Sequence, residues 1–206
     1  MRQKALLACF LGTIGLAGCD VDSGGLDRAR QNFGVTDPKP GAFQVCGSYN
    51  CRKRVAVSLS PAEWSSARAP LRSHPRNAGA ERRALAETLR RLEVVVGRKT
   101  GYDRDRAGST LQMGVKAQDC VDEMVNTAVY LKMLDDAGDL RFHRPGQRVT
   151  IGFMTREFWT HTVASIFQKD TGQEFIVETW AVDFGETPYI MDRKDWAANE
   201  PLRRDF

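Results

Sequence analysis

The sequence predicts an α+β fold in which helices come first along the chain and an antiparallel β-sheet comes last. Helical spacing of apolar residues occurs twice between residues 80 and 137, and strand-like alternation follows from residue 148 onward. Runs of helices followed by runs of strands are typical of domains in which helices pack on an antiparallel sheet. The stretch from Cys46 to Phe206 is long enough for one such domain with a single core.

The beginning of the chain has the features of an exported bacterial lipoprotein. Arg2 and Lys4 precede an apolar run from Ala5 to Gly15, which is too short to span a membrane but suits a signal peptide over residues 1–18. The next tetrapeptide, Leu16-Ala17-Gly18-Cys19, resembles the bacterial lipobox. We therefore expect a lipid on Cys19 that anchors the protein to a membrane of the cell envelope, with the protein facing the periplasm.

Residues 19–45 are predicted to form a flexible tether between the lipid and the folded domain. They contain Gly24-Gly25 and the segment from Asp37 to Gly41, and they have few large apolar side chains. Segments rich in glycine and proline favour linkers over packed structure. The predicted organisation is thus a signal peptide (1–18), a lipidated tether (19–45) and one domain (46–206).

Three cysteines are left for the mature chain if Cys9 leaves with the signal and Cys19 is lipidated. Cys46 and Cys51 are separated by turn-forming residues, so an oxidising compartment allows them to close a small disulfide loop. No second Cys or His pair at ligand spacing accompanies them, so we expect no metal. Nothing in the sequence resembles a nucleotide-binding loop, so we expect no organic cofactor. Cys120 is then an unpaired thiol in an exported protein, and such a thiol is a candidate reactive group.

Upstream of Cys120 the sequence predicts one strand and two helices. Residues 55–59 alternate between apolar and polar or small side chains, as in a short strand. Ser60, Pro61 and Glu63 are the residue types of a capping box with proline at the first helical position, which marks a helix start. A longer helix is predicted from about residue 80 to residue 96, because leucine and valine recur there on one face.

The helix that carries Cys120 is predicted from its spacing and its ends. Apolar residues recur at intervals of three and four between residues 121 and 134, Asp119 is a good N-cap residue and Gly138 can end the helix. Unpaired N–H groups and the dipole at a helix start favour an anion, and this environment lowers the pKa of a thiol. Cys120 is therefore a candidate nucleophile, with a small buried apolar residue as the alternative interpretation.

After this helix the sequence predicts strands at residues 148–154, 161–167 and 174–182, with a turn between the last two. His161 stands at the head of the second strand, where an imidazole can face a helix terminus that packs on the sheet. His74 lies in a proline-rich loop and His143 in a predicted turn, so both are poorer candidates for a catalytic base.

The order of a cysteine at a helix start, a histidine at the head of a strand and an acid on the next strand resembles the transglutaminase-like superfamily, which includes bacterial transglutaminase-like cysteine peptidases. The similar stretches are QDCVDEMVNTAVYLKMLDDAG, THTVASIF and EFIVETW, between Gln118 and about Trp196. The resemblance implies that Cys120 attacks an amide carbonyl, that His161 takes and returns the proton, and that Glu178 orients the imidazole. It also implies a cysteine-bearing helix packed on an antiparallel sheet.

Two residues depart from the pattern of this family. The third residue is usually Asp, and Glu178 has one more methylene; Asp183 lies just beyond the strand and takes this role if a bulge shifts the hairpin. The glycine that usually precedes Asp-Cys is Gln118 here, which has the chemistry either to support an oxyanion or to help cap the helix.

Two classes of function follow from these observations. The first is an envelope-anchored thiol enzyme of the cysteine peptidase or amidase type, which acts on an amide bond of an envelope protein or a cell-wall peptide. The second is a lipid-tethered adaptor that keeps the fold and binds a partner without turnover. Loss of Arg2 and Lys4 with the signal peptide reduces the 30 basic residues to 28, against 26 acidic ones, and this balance gives no support to nucleic-acid binding.

Overall fold

The computed structural model describes residues 24–109, 117–151 and 160–199, and these residues form the predicted α+β fold. The elements, in chain order, are the helix α1 (Gly24–Asn32), the strands β1 (Phe43–Gly47) and β2 (Lys53–Val57), the helices α2 (Pro61–Ala67), α3 (Ala69–Arg72), α4 (Ala78–Thr100) and α5 (Cys120–Asp136), the strands β3 (His143–Ile151), β4 (His161–Gln168), β5 (Glu174–Glu178) and β6 (Tyr189–Asp192), and the helix α6 (Arg193–Asn199).

The described strands form two antiparallel sheets. β1 and β2 pair as a small hairpin, and β3, β4, β5 and β6 follow one another in a four-stranded sheet. Sequence analysis predicted β3, β4 and β5, although β3 already begins at His143 and β5 already ends at Glu178. It did not predict β6, which is short, or α6 directly after it.

The larger sheet separates the packing of α5 from that of α6. Ala164, Ile166 and Val177 point to the side of α5 and belong to the main core. Alternate residues point to the other side, because side chains alternate along a strand. There a second, smaller cluster consists of Val149, Val163, Ile176 and Trp196. β4 and β5 therefore present side chains both to the core on the α5 side of the sheet and to the cluster on the α6 side.

The helix starts follow the local signals in the sequence. Glu63 N donates to Ser60 Oγ at 3.2 Å and Ser60 N donates to Glu63 Oε2 at 2.7 Å, so the predicted capping box begins α2. Asp119 forms a second capping box with Asp122 at the start of α5. These bonds satisfy main-chain N–H groups that have no partner inside the helix, which fixes the residue at which each helix begins.

His143 does not lie in a turn, as the sequence indicated, but is the first residue of β3 and is fully buried. Its Nδ1 lies 2.9 Å from Glu81 Oε1, and the carboxylate also accepts the main-chain N–H groups of Arg141, Phe142 and His143. Although burial raises the pKa of Glu81, these hydrogen bonds hold it below its usual range. His143 is thus a structural residue that joins α4 to the start of β3.

The prediction of a flexible tether over residues 19–45 is wrong for residues 24–45. Leu26 and Ala29 are buried on one side of α1, which packs against β3 and α5. Composition suggested a linker because these apolar residues are few, but they are spaced to share one helix face. Gly25 serves close packing, since a Cβ there would lie 2.8 Å from the Cβ of Gln147.

The predicted signal peptide, Cys19 and the beginning of the predicted tether lie outside the described residues, as do residues 152–154 of the predicted strand 148–154. Within the described ranges, no helix combines the length and the apolar character that crossing a membrane requires. The lipid anchor therefore stays a prediction from sequence.

Replacing Leu26 with Ala is expected to lower the free energy of unfolding by about 2–4 kcal/mol, because it removes a buried side chain from the contact of α1 with the core. Gln31→Ala, on the exposed side of the same helix, is the matched control and should change it by less than about 0.5 kcal/mol. Urea unfolding measures both variants. Equal unfolding midpoints for Leu26→Ala and wild type would mean that α1 is a tether after all.

Candidate active site

A disulfide between Cys46 and Cys51 closes a loop that holds the first turn of α5. The four residues from Ser48 to Cys51 all have positive φ, between 52° and 66°, so they form a left-handed turn. The amides of Tyr49 and Cys51 donate to the two carboxylate oxygens of Asp122 at 2.9 and 2.8 Å. Positive φ costs non-glycine residues roughly 1 kcal/mol each, so this turn persists because the disulfide and the carboxylate hold it.

Two side-chain amides connect Cys46, at the beginning of the disulfide loop, to α5 and to the residue just before its N-cap. Cys46 N donates to Asn126 Oδ1 at 2.7 Å, and Asn126 Nδ2 donates back to Cys46 O at 3.0 Å. Gln118 Nε2 donates to Cys46 O at 2.7 Å. The side chain of Gln118 is therefore an anchor between β1 and the start of α5, with one of its two N–H donors bonded to a main-chain carbonyl.

Cys120 is the first residue of α5 and is half-buried. Its Sγ donates to Thr160 O at 3.8 Å, and the N–H of Thr162 donates to the sulfur. These two residues flank His161 at the start of β4. The thiol thus lies against the main chain on both sides of the predicted base.

The thiol fits at this position because β5 ends before it reaches the first residues of β4. Gln168 N donates to Gln173 O, so the even-numbered residues of β4 direct their main-chain groups toward β5. The pairing continues to Ala164 opposite Val177, and β5 ends at Glu178. Beyond this point the sulfur of Cys120 takes the place of a neighbouring strand.

The expectation that the helix start lowers the pKa of Cys120 is wrong for this conformation. The pKa of the thiol is raised to about 11, mainly because the group is buried. The carboxylates of Asp119 and Glu178 also raise this pKa, whereas the N–H of Thr162 lowers it. Asp119 accepts the N–H groups of Val121 and Asp122 at 3.1 and 2.9 Å. The donors of the helix start are thus engaged by a carboxylate, so that they do not stabilise a thiolate.

The side chains of His161 and Glu178 are in direct contact. His161 Nε2 lies 2.8 Å from Glu178 Oε2, and Trp196 Nε1 donates to the same oxygen at 2.9 Å. The side chains of His161 and Glu178 are both buried. The imidazole also stacks on Trp180, with ring centroids 4.9 Å apart. A carboxylate only accepts hydrogen bonds, so this contact places a proton on Nε2 and leaves Nδ1 as the acceptor of the neutral ring.

Two buried atoms of this pair, His161 Nδ1 and Glu178 Oε1, have no hydrogen-bond partner among the described residues. Buried polar atoms are nearly always hydrogen-bonded, so an unpartnered one calls for a specific explanation. The structure brings His161 and Glu178 together and places Cys120 against the backbone of His161. It does not contain a hydrogen bond between the thiol and the ring.

Asp183, the alternative third residue, lies elsewhere. Its Oδ1 accepts the N–H of Ala107 at 3.0 Å, and its Oδ2 pairs with Arg106 at 3.0 Å. β4 and β5 pair in constant register, without the bulge that would bring this side chain beside His161. The geometry around the imidazole thus involves Glu178, whose longer side chain reaches the ring from within the strand.

Sequence analysis missed three buried carboxyl groups beneath the start of α5, on α4, α5 and the loop between them. Burial raises the pKa of Glu93 to about 8 and that of Asp105 to about 6, with a further contribution to Glu93 from the nearby Asp105. The pKa of Glu123 lies well above its usual value, first because of burial and then because of these two neighbours. Isolated acidic residues in sequence give no signal of such clustering.

Two tryptophans also contact the pair of His161 and Glu178. Trp180 is the stacking surface of His161, and Trp196 is a hydrogen-bond donor to Glu178.

In the described ranges, the one group that could supply metal ligands is Cys46, Cys51 and Asp122. It does not fit a metal ion, because the two sulfurs are bonded to each other.

Comparisons with known proteins give no family assignment. No family model matches the chain, and neither a curated protein nor a solved structure matches it significantly. What can be proposed about function therefore depends on the residue pattern and on the geometry of this site.

The buried carboxyl groups predict that stability falls as the pH rises. A carboxyl whose pKa is higher in the folded than in the unfolded protein binds more protons when folded, so its stabilising contribution is lost between about pH 4 and pH 8. The urea midpoint should be lower at about pH 8.5 than at about pH 5.5, where carboxylates with lowered pKa are still ionised.

Glu123→Gln is the variant that checks this assignment, since it removes the most strongly affected group and relieves the repulsion on Glu93. It should make the urea midpoint less dependent on pH. A wild-type midpoint that stays constant or rises between the two pH values would contradict the buried, uncharged state of these groups.

Proposed function

We propose that the protein is a lipid-anchored thiol enzyme of the cell envelope that acts on amide bonds of a protein or a cell-wall peptide, in the manner of transglutaminase-like cysteine peptidases. The observation that carries this proposal is the buried pair of His161 and Glu178, in which Nδ1 of the ring has no partner among the described residues, together with the thiol of Cys120 against the main chain of Thr160. A buried acid that orients an imidazole next to a nucleophile is the arrangement that general-base catalysis requires.

The proposed reaction begins with a protonated thiol, because the pKa of Cys120 is raised to about 11 in the conformation described. The proposed transfer requires the side chain of Cys120 to leave Thr160 O and to bring Sγ within reach of Nδ1 of His161. As the sulfur attacks the carbonyl carbon of the amide, the thiol proton passes to Nδ1, and Glu178 stabilises the imidazolium. Fixing the ring through Nε2 keeps Nδ1 available for this transfer.

The second half of the reaction releases both products. The carbon–nitrogen bond breaks, the leaving amine takes the proton from Nδ1, and a thioester on Cys120 remains. Attack of water on the thioester, with His161 again taking the proton, gives hydrolysis; attack of a second amine gives transfer. Either acceptor restores the free thiol and the neutral ring.

Delivery to the envelope is supported by two features. The tetrapeptide from Leu16 to Cys19 follows a basic and apolar segment, as in lipoprotein signals. The disulfide between Cys46 and Cys51 holds the loop that positions α5, and such bonds persist in oxidising compartments. We propose that the domain faces the periplasm and that its substrate is an envelope component.

One observation favours the second function, a lipid-tethered adaptor without turnover. The sulfur of Cys120 is hydrogen-bonded to the main chain of β4, and its raised pKa makes it unreactive as it stands. If the side chain never leaves this position, the fold binds a partner and catalyses nothing. The reactivity of the thiol toward an electrophile separates the two functions.

The enzyme proposal predicts a pH profile for alkylation of Cys120 by iodoacetamide with two limbs. A thiol alone reacts faster up to its pKa of about 11, whereas a thiol that passes its proton to His161 also reacts near neutral pH. His161→Ala should lower the rate at neutral pH by at least about 10-fold and leave the alkaline limb in place. Mass spectrometry of intact protein follows the reaction.

Glu178→Gln should cause a smaller loss of the neutral limb than His161→Ala, since the ring stays in place with less charge support. Asp183→Asn is the matched control and should leave the profile unchanged, because this carboxylate bonds to Arg106 and Ala107. Each variant must melt close to wild type. Superimposable profiles for wild type and folded His161→Ala would favour the adaptor.

The anchor is tested by Cys19→Ala. Wild type should fractionate with membranes and require detergent for extraction, whereas the variant should lose most of its membrane association because it lacks the acylated residue. Fractionation and immunoblotting measure the difference. Recovery of wild-type protein from the soluble periplasm without detergent would contradict lipidation.

A further inference from the structure

An open groove lies between the first turns of α4 and the beginning of β6, apart from the candidate active site. It has a volume of about 530 Å³, which lies in the range of ligand sites. Arg82, Arg83 and Ala86 line it from the helix, and Pro188, Tyr189 and Ile190 line it from the strand side. The groove therefore combines two cations with an apolar and aromatic wall.

No carboxylate of the described residues forms an ion pair with the two arginines of this groove. Arg82 Nη1 bonds to Gln168 Oε1 at 3.0 Å and lies 3.2 Å from His143 Nε2, and its guanidinium lies over the ring of Phe175. No ion pair of Arg83 occurs within the described ranges, and its side chain is exposed. Burial and, to a smaller extent, the charge of Arg83 lower the pKa of Arg82. The two cations are therefore close enough to repel each other.

The acidic groups near the groove are engaged elsewhere. Glu81 is buried against His143, and Glu87 pairs with the next two arginines along α4. Glu186 precedes the strand side of the groove, but its carboxylate accepts the N–H of Asp183 at 3.3 Å. An anionic occupant would thus meet two cations without displacing an ion pair of the protein.

The strand side of the groove favours an extended occupant. β6 is the last strand of the four-stranded sheet, and no strand of the described residues pairs with its outer edge. Tyr189, at its start, is the one large hydrophobic residue of the described ranges with an exposed side chain, at 45%. A free strand edge, an exposed aromatic ring and nearby apolar residues are the features that bind extended polypeptide.

We propose that this groove binds an extended acidic segment of a partner polypeptide, with its carboxylates on Arg82 and Arg83 and its apolar side chains on Tyr189 and Ile190. Tyr189 pairs with Glu178 in the register of β5 and β6, so a bound partner would be held one strand away from the candidate site. The proposal goes beyond the proposed reaction, because binding at the groove requires no turnover by Cys120.

The test is a binding titration of the whole mature protein with a fluorescein-labelled peptide of about six residues in which Glu and Val alternate. Arg83→Glu should weaken binding by at least about 10-fold, because it replaces an attractive charge with a repulsive one. Arg98→Glu is the matched control: it makes the same charge change on an exposed residue of α4, roughly 22 Å farther along the helix. It should change the affinity by less than about 2-fold, since that separation exceeds the screening length.

A second peptide with Gln in place of Glu shares the length and the apolar residues and should bind at least about 10-fold more weakly. Equal binding of the two peptides, or equal losses in Arg83→Glu and Arg98→Glu, would overturn the proposal. So would binding to vesicles that contain anionic lipids without binding to the peptide, since the groove would then be a membrane contact. Arg83→Gln replaces Arg83→Glu if the latter melts early, and should weaken binding in the same direction.

Discussion

The position of the candidate nucleophile depends on one buried carboxylate. Asp122 is inaccessible to solvent and accepts main-chain N–H groups from Tyr49, Cys51 and Asp119. Loss of this acceptor would leave three amides without a partner and release the disulfide loop from the first turn of α5. Cys120 lies in that turn, so the same contacts that hold a strained loop also fix the point from which the thiol projects.

A second constraint is the early end of β5. The chain leaves the sheet after Glu178, which leaves the main chain of β4 unpaired on that side and allows the sulfur of Cys120 to approach it. Glu178 is the last residue of β5, and its carboxylate accepts a hydrogen bond from Trp196 of α6, which packs on this side of the sheet. One strand end thereby positions the acid, the imidazole and the thiol on three elements, and the indole keeps the acid directed at Nε2 of His161.

Local patterns in the sequence predicted the parts of this site that depend on neighbouring residues. The start of α5 followed from Asp119 as N-cap, and the strand positions of His161 and Glu178 followed from apolar alternation, because caps and strand faces are set within a few residues. The burial of Asp122 and Glu123, the packing of α1 and the raised pKa of Cys120 depend on residues distant in the chain. A first turn rich in acids is expected to face solvent unless its contacts with the disulfide loop, Glu93 and Asp105 are known.

In the proposed reaction, Glu178 holds the imidazole of His161 with its proton on Nε2, so that Nδ1 is free to accept a proton from Cys120. The most direct measurement is ¹⁵N NMR of protein with labelled histidine rings, before and after S-methylation of Cys120. The expected results are the Nε2–H tautomer, because Glu178 accepts from that nitrogen, and a shift of the Nδ1 resonance when the thiol is blocked. A ring that carries its proton on Nδ1, or an Nδ1 resonance that does not respond to the modification, would contradict it.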